Sequence, residues 1–124
     1  VLKTFAGGQL FGATHGDNRP WVLALHGWER SHRDFDGLLH DFDAVALDLP
    51  GFGAAPPPPE VWSTAQYAEY LSPVLAEMAP RVVVLGHSFG GKVATHLAAA
   101  HPDRVTAQVL TGSPLIRRPY GSRS

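Results

Sequence analysis

At 124 residues, with 10 Lys and Arg against 11 Asp and Glu and a formal net charge of −1, the chain amounts to one domain without a polybasic surface for nucleic acid or anionic membrane. Hydrophobic residues at 44% against 17% charged exclude a disordered segment, and the lack of cysteine excludes disulfides, zinc–thiolate sites and a cysteine nucleophile. No apolar run approaches the ~20 residues that cross a bilayer, and Gly7-Gly8 interrupts any signal-like start, so a soluble, cytoplasmic protein is the default expectation. The first residue is Val1 rather than Met, as in a processed or partial sequence.

Short apolar runs alternate with helical stripes along the chain, the pattern of βαβ units on a largely parallel sheet. Residues 1–5 and 9–14 read as an opening pair of strands joined at Gly7-Gly8. Residues 21–25 are continuously apolar, as a central buried strand should be. Phe35, Leu38, Leu39 and Phe42 recur at helical spacing, with Ser31 and Asp34 as a capping box ahead of them. Residues 44–47 form the next strand, followed by a Pro-rich loop over residues 56–59. A second helical stripe, Ala68, Leu71, Leu75 and Met78, is entered through Ser63 and Gln66 and is expected to kink at Pro73. Residues 82–85 are the clearest strand. Val93, Leu97 and Ala100 mark the helix after it, and residues 105–110 a last strand. The tail, residues 116–124, is irregular.

The chemistry concentrates in Gly86-His87-Ser88-Phe89-Gly90-Gly91, a G-x-S-x-G pattern between the clearest strand and a helix. A sharp strand-to-helix turn projects the Ser88 hydroxyl above the sheet edge, where the helix dipole and the Phe89 N–H favour developing negative charge. A solvated serine in a glycine-rich loop is the plain alternative. The same letters hold a P-loop spacing from Gly86 to Gly91-Lys92, but Val93 stands where a Ser or Thr would ligate magnesium. His26-Gly27-Trp28 follows the strand over residues 21–25, and a turn there can aim the Trp28 N–H at the same space, completing two donors for an oxyanion. Asp48-Leu49-Pro50-Gly51-Phe52-Gly53 lacks the third glycine of a dinucleotide fingerprint and reads as a rigid turn at the same edge.

These three pieces, in this order, resemble the N-terminal half of an α/β-hydrolase over residues 9–114. His101-Pro102-Asp103-Arg104-Val105 is similar to the family's approach to its sixth strand. The resemblance implies a mostly parallel sheet with flanking helices, truncated after about the sixth strand, with a cap and further strands lying beyond and residues 116–124 leading toward that cap. It implies Ser88 as nucleophile and the Trp28 and Phe89 amides as oxyanion hole, while a serine at that position sets the chain apart from the aspartate-using branches.

In that family the acid and then the histidine follow the nucleophile. After Ser88 the chain offers only Asp103, His96 and His101, which the helix places away from the hydroxyl. No base or acid is therefore assigned, and the 124 residues alone are expected to turn over poorly. The reading is a serine hydrolase of ester or related carbonyl substrates, acting without cofactor, metal, nucleic acid or membrane. The alternative is a non-catalytic hydrolase-like module, prone to self-association through an unpaired sheet edge. Trp28, Phe52, Phe89 and Trp62 suggest an apolar acyl pocket or, equally, core packing.

Overall fold

The computed structural model describes residues 1–112; the tail read as irregular lies outside the described residues. Strands β1 (Leu2–Phe5), β2 (Leu10–His15), β3 (Val22–Leu25), β4 (Ala44–Asp48), β5 (Val82–His87) and β6 (Val105–Thr111) form one sheet in the order β1-β2-β4-β3-β5-β6. β1 pairs antiparallel with β2, and β2 with β4. From β4 through β3 and β5 to β6 every pairing is parallel. This is the mostly parallel, helix-flanked sheet that the alternating pattern predicts.

Both faces of the central strands are covered, which is why they read as unbroken apolar runs rather than as alternating ones. Leu23, Leu25, Val45, Leu47, Val82 and Val84 belong to the larger core, with helices α1 (Thr64–Leu71) and α2 (Phe89–Ala100). Val22, Ala24, Ala44, Ala46 and Leu85 turn to the other face, where Phe35 and Leu39 cover them.

α1 begins with the capping box expected at Ser63 and Gln66: the Gln66 N–H donates to Ser63 Oγ at 3.2 Å, and the Ser63 N–H donates to Gln66 Oε1 at 2.8 Å. Its α-helical path stops at Leu71, and a 3₁₀ segment, Ser72–Glu77, carries the chain on. Pro73 accounts for the change, having no N–H to donate and a ring that crowds the preceding turn. Two arginines satisfy the carbonyls where this segment ends. Arg19 donates to the carbonyls of Ala76 and Met78 at 3.0 and 2.9 Å. Arg104 donates to those of Leu75, Ala79 and Pro80 at 2.6, 3.0 and 2.7 Å, binding the approach to β6 to the approach to β5.

The stripe from Phe35 to Phe42 does not form the expected helix. One 3₁₀ turn, His32–Phe35, is followed by further turns, leaving Phe35 and Leu39 buried but Leu38 and Phe42 exposed. The capping box fails with it. Ser31 Oγ accepts from the Arg33 N–H, and the Asp34 carboxylate pairs with the Arg30 guanidinium at 2.7 Å instead of with the Ser31 N–H. Gly37 in mid-stripe lowers helix propensity by about 1 kcal/mol, enough to decide so short a segment.

The sheet order also locates the site. From β3 the chain moves to β4 on one side, and then crosses to β5 on the other. Where strand order reverses, the loops leaving the carboxyl ends part and open a crevice. The turns after β3, β4 and β5 meet there.

Candidate active site

Ser88 sits between β5 and α2 with φ 54° and ψ −114°, a backbone conformation that side chains rarely adopt. Holding a non-glycine residue there costs on the order of 1–3 kcal/mol. Its N–H donates to the Thr111 carbonyl on β6 at 2.8 Å, and its own carbonyl accepts from the Gly91 N–H at 2.9 Å. Close packing beneath the turn holds it. A Cβ at Gly86 would stand 2.5 Å from the Gly91 Cα, and one at Gly90 would run into the carbonyl oxygens of Leu25 and His26. Only glycine lets the first turn of α2 sit directly on β3 and β5.

Register then brings the second turn alongside. Leu25 pairs with Gly86, so the residues after β3 lie beside those after β5. A Cβ built on Gly27 would lie 3.5 Å from the Ser88 Cβ. Phe89 opens α2, where N–H groups have no intrahelical acceptor. Neither the Phe89 nor the Trp28 amide donates to any acceptor among the described residues. The Phe89 amide is therefore on the turn of the serine itself, and Trp28 follows the glycine that touches it.

The aromatic rings named from the sequence come together over this turn. Trp28 meets Phe89 at 5.0 Å and Phe52 at 4.8 Å between centroids, both edge to face. Tyr67, which the sequence did not single out, meets Phe89 at 5.4 Å and Trp62 at 5.4 Å. Its spacing four residues ahead of Leu71, on the same helical side, was the only signal. Trp28 is 54% exposed, so its ring is not simply core. Trp28, Phe52, Trp62 and Tyr67 border a cavity of about 340 Å³. A larger cavity, about 650 Å³, lies between α1 and α2 and is lined by no residue of the three turns.

Five of the seven histidines bear on the three turns or follow Ser88 in the chain. His26 is wholly buried; its Nε2 accepts from the Leu49 N–H at 2.9 Å, so its Nδ1 carries the proton and donates to the Gly27 carbonyl at 2.6 Å. His87 turns to the Thr111 hydroxyl at 3.1 Å. His32 Nδ1 bonds the Asp48 carboxylate at 2.9 Å, a pair that the sequence reading missed because nothing in the spacing of residues 32 and 48 links them. His96 and His101 lie along and past α2, about 12 Å or more of helical rise from the serine. Among the described residues, no imidazole or carboxylate hydrogen-bonds to the Ser88 hydroxyl.

Burial pushes the His26 pKa below its ordinary value of 6.5, only partly offset by the bond to the Gly27 carbonyl. The folded protein thus keeps this imidazole neutral, while the unfolded chain takes up a proton below about pH 6.5. Its contribution to stability is whole above pH 6.5 and declines as pH falls from there toward the folded value. Thermal midpoints should fall as pH drops below 6.5, and His26→Gln should flatten part of that slope. An unchanged slope in the variant would refute the assignment.

The strand–turn–helix around Ser88, set at a switch point of a mostly parallel sheet, defines a hydrolase-type α/β fold, and comparison with known proteins agrees. The family model described as alpha/beta hydrolase fold matches residues 20–122, and the chain belongs to that family. It is 38% identical over 98 residues to a pimeloyl-[acyl-carrier protein] methyl ester esterase of Neisseria meningitidis serogroup C, covering 74% of this chain and 36% of the relative. It is 40% identical over 97 residues to the lipase LipV of Mycobacterium tuberculosis, covering 72% of this chain and 35% of that lipase. Among solved structures, an esterase of M. tuberculosis superposes with a TM-score of 0.79 at 33% identity, over 89% of this chain and 39% of that one. The chain spans about a third of the length of these curated relatives.

Proposed function

We propose that Ser88 is the nucleophile of a serine hydrolase that cleaves carboxyl esters through an acyl-enzyme. The observation that carries this reading is Ser88 held at φ 54° on the strand-to-helix turn, with Gly27 of the β3 turn against it. The hydroxyl oxygen attacks the ester carbonyl, and the oxyanion is met by the Phe89 and Trp28 amides. The alcohol departs with a proton, and water then releases the acid from Ser88. A histidine must take the serine proton, since a free hydroxyl is a poor nucleophile at neutral pH. His26, His32 and His87 are engaged elsewhere, His96 and His101 are remote, and no imidazole or carboxylate bonds the Ser88 hydroxyl among residues 1–112, so the proposed base and acid lie outside them. Esterases and a lipase among the relatives support ester substrates.

A fluorophosphonate reporter tests this directly. One adduct per chain is expected, on the peptide containing Ser88, with loss of p-nitrophenyl butyrate hydrolysis in step. Labelling at another residue, or hydrolysis that survives full labelling of Ser88, would overturn the reading.

A second reading, association through the sheet edge, is favoured by β6. Ala107, Gln108 and Val109 are exposed there, and β6 pairs only with β5 among the described residues. Trp21, Leu38 and Phe42 add exposed apolar surface on the neighbouring face. Sedimentation should show concentration-dependent dimers that Val109→Lys abolishes; a strict monomer at high concentration excludes this reading.

A further inference from the structure

The cavity of about 340 Å³ beside Trp28 combines two features that the ester reading does not use. Four of its nine lining residues are aromatic: Trp28 and Phe52, and Trp62 and Tyr67, each pair packed edge to face. Its one charged lining group is the exposed carboxylate of Glu60, which has no ion-pair partner among the described residues. The chain segment that supplies most of its walls carries no positive charge. From residue 41 to residue 80, which includes the whole β4–α1 loop and α1, the chain carries Asp and Glu but no Lys, Arg or His. On the turn that carries Trp28, Glu29 comes next, and Arg30 after it is tied to Asp34 by bonds of 2.7–3.1 Å.

A cavity of this kind discriminates by charge. Aromatic faces attract cations through the negative potential above the ring, most strongly for Trp, and a neighbouring carboxylate adds to the attraction. A neutral apolar group gains only from burial, and an anion meets repulsion with no cation to offset it. The cavity also adjoins the serine, because Trp28 and Tyr67, two of its walls, both pack on Phe89, the residue after Ser88.

We infer that this cavity is a binding subsite for a substituted ammonium group, and that the esters turned over at Ser88 carry such a group on their acyl or alcohol part. The substrate assignment rests on the nucleophile reading above; the binding of the cation does not.

Titration with benzyltrimethylammonium, with benzyl alcohol and benzoate as its neutral and anionic counterparts, tests the subsite in the intact protein. The readouts are the fluorescence of the wall tryptophans and the NMR shifts of the Trp28 and Trp62 indole N–H groups. The cation should bind about tenfold more tightly than benzyl alcohol, with benzoate weakest, and its affinity should weaken with salt. Glu60→Gln should reduce cation affinity about threefold to tenfold and leave benzyl alcohol unchanged, whereas Trp62→Ala should weaken both. Glu60→Lys should reverse the order of cation and anion. Ser88→Ala should bind all three as the parent does while losing ester turnover, which separates failure of the subsite from failure of the nucleophile assignment. Equal binding of benzyl alcohol and the cation, no response to Glu60→Gln, or no shift of either indole would each overturn the proposal.

Discussion

Ser88→Ala is expected to remove covalent capture by fluorophosphonate and to lower ester turnover by about 10⁴-fold or more in the catalytically competent protein, with little change in melting temperature. The kinetic loss is what the proposed mechanism requires: without the hydroxyl there is no acyl-enzyme, and only binding and oxyanion stabilisation remain. The stability follows from the backbone. Alanine at φ 54° has the same Cβ and the same strain as serine, and Ser88 holds its neighbours through main-chain bonds to Thr111 and Gly91. Ser88→Gly makes a sharper comparison. Glycine adopts a positive φ without the Cβ penalty, so this variant should be as inactive as Ser88→Ala yet more stable by about 1 kcal/mol. A serine kept where glycine would be more stable is what the nucleophile proposal expects. A Ser88→Ala protein that hydrolyses p-nitrophenyl butyrate at the parent rate would remove Ser88 from the mechanism.

How much of this was legible depended on whether the signal was local. The parallel strands announce themselves because burial on both faces requires unbroken apolar runs such as residues 21–25 and 82–85. The turn at Ser88 is legible because Gly86 and Gly90, which its close packing requires, flank the serine in sequence. The stripe from Phe35 to Phe42 misled because periodicity reports which residues are buried together, and not whether the backbone between them is helical. Phe35 and Leu39 are buried as the stripe predicts, on successive turns rather than on one helix. Asp34 went to Arg30 because an ion pair four residues apart on tight turns competed with the cap.

The histidines show the opposite limit. Their chemistry is set by partners distant in sequence: Leu49 for His26, Asp48 for His32, Thr111 for His87. No spacing rule connects those pairs, so the sequence could weigh His26 as structural only by its neighbourhood. The structure supplies the reason, a ring with both nitrogens engaged and no capacity left to accept the serine proton.

Asp48→Ala should cost about 3–5 kcal/mol, a large part of the stability of a domain this size. The Asp48 carboxylate is wholly buried at the end of β4 and accepts three hydrogen bonds: from the His32 N–H at 2.8 Å, from His32 Nδ1 at 2.9 Å and from the Ala54 N–H at 2.9 Å. Gly53 arches over it with φ 54°, and a Cβ there would collide with the carboxyl group. One side chain thus fastens the turn after β4 to the segment that follows the turn after β3. Beside it, the Leu49 N–H bonded to His26 makes a second fastening between the same two turns. Alanine would leave all three donors without the carboxylate that fastens them, and each bond to a charged acceptor is worth roughly 1.5–3 kcal/mol. The consequence reaches the site, because these fastenings hold Phe52 against Trp28, and Trp28 against Phe89 beside the serine. Should Asp48→Ala fail to fold, Asp48→Asn remains informative. It keeps one acceptor oxygen but turns an amide N–H₂ toward a donor, so a smaller loss is expected, with a drop in kcat/KM as Phe52 and Trp28 loosen. Denaturant unfolding of Asp48→Asn, His32→Ala and the double variant should show a coupling energy well above zero. Strict additivity, or an Asp48→Ala protein within 1 kcal/mol of the parent, would mean that the site is held by its aromatic packing alone.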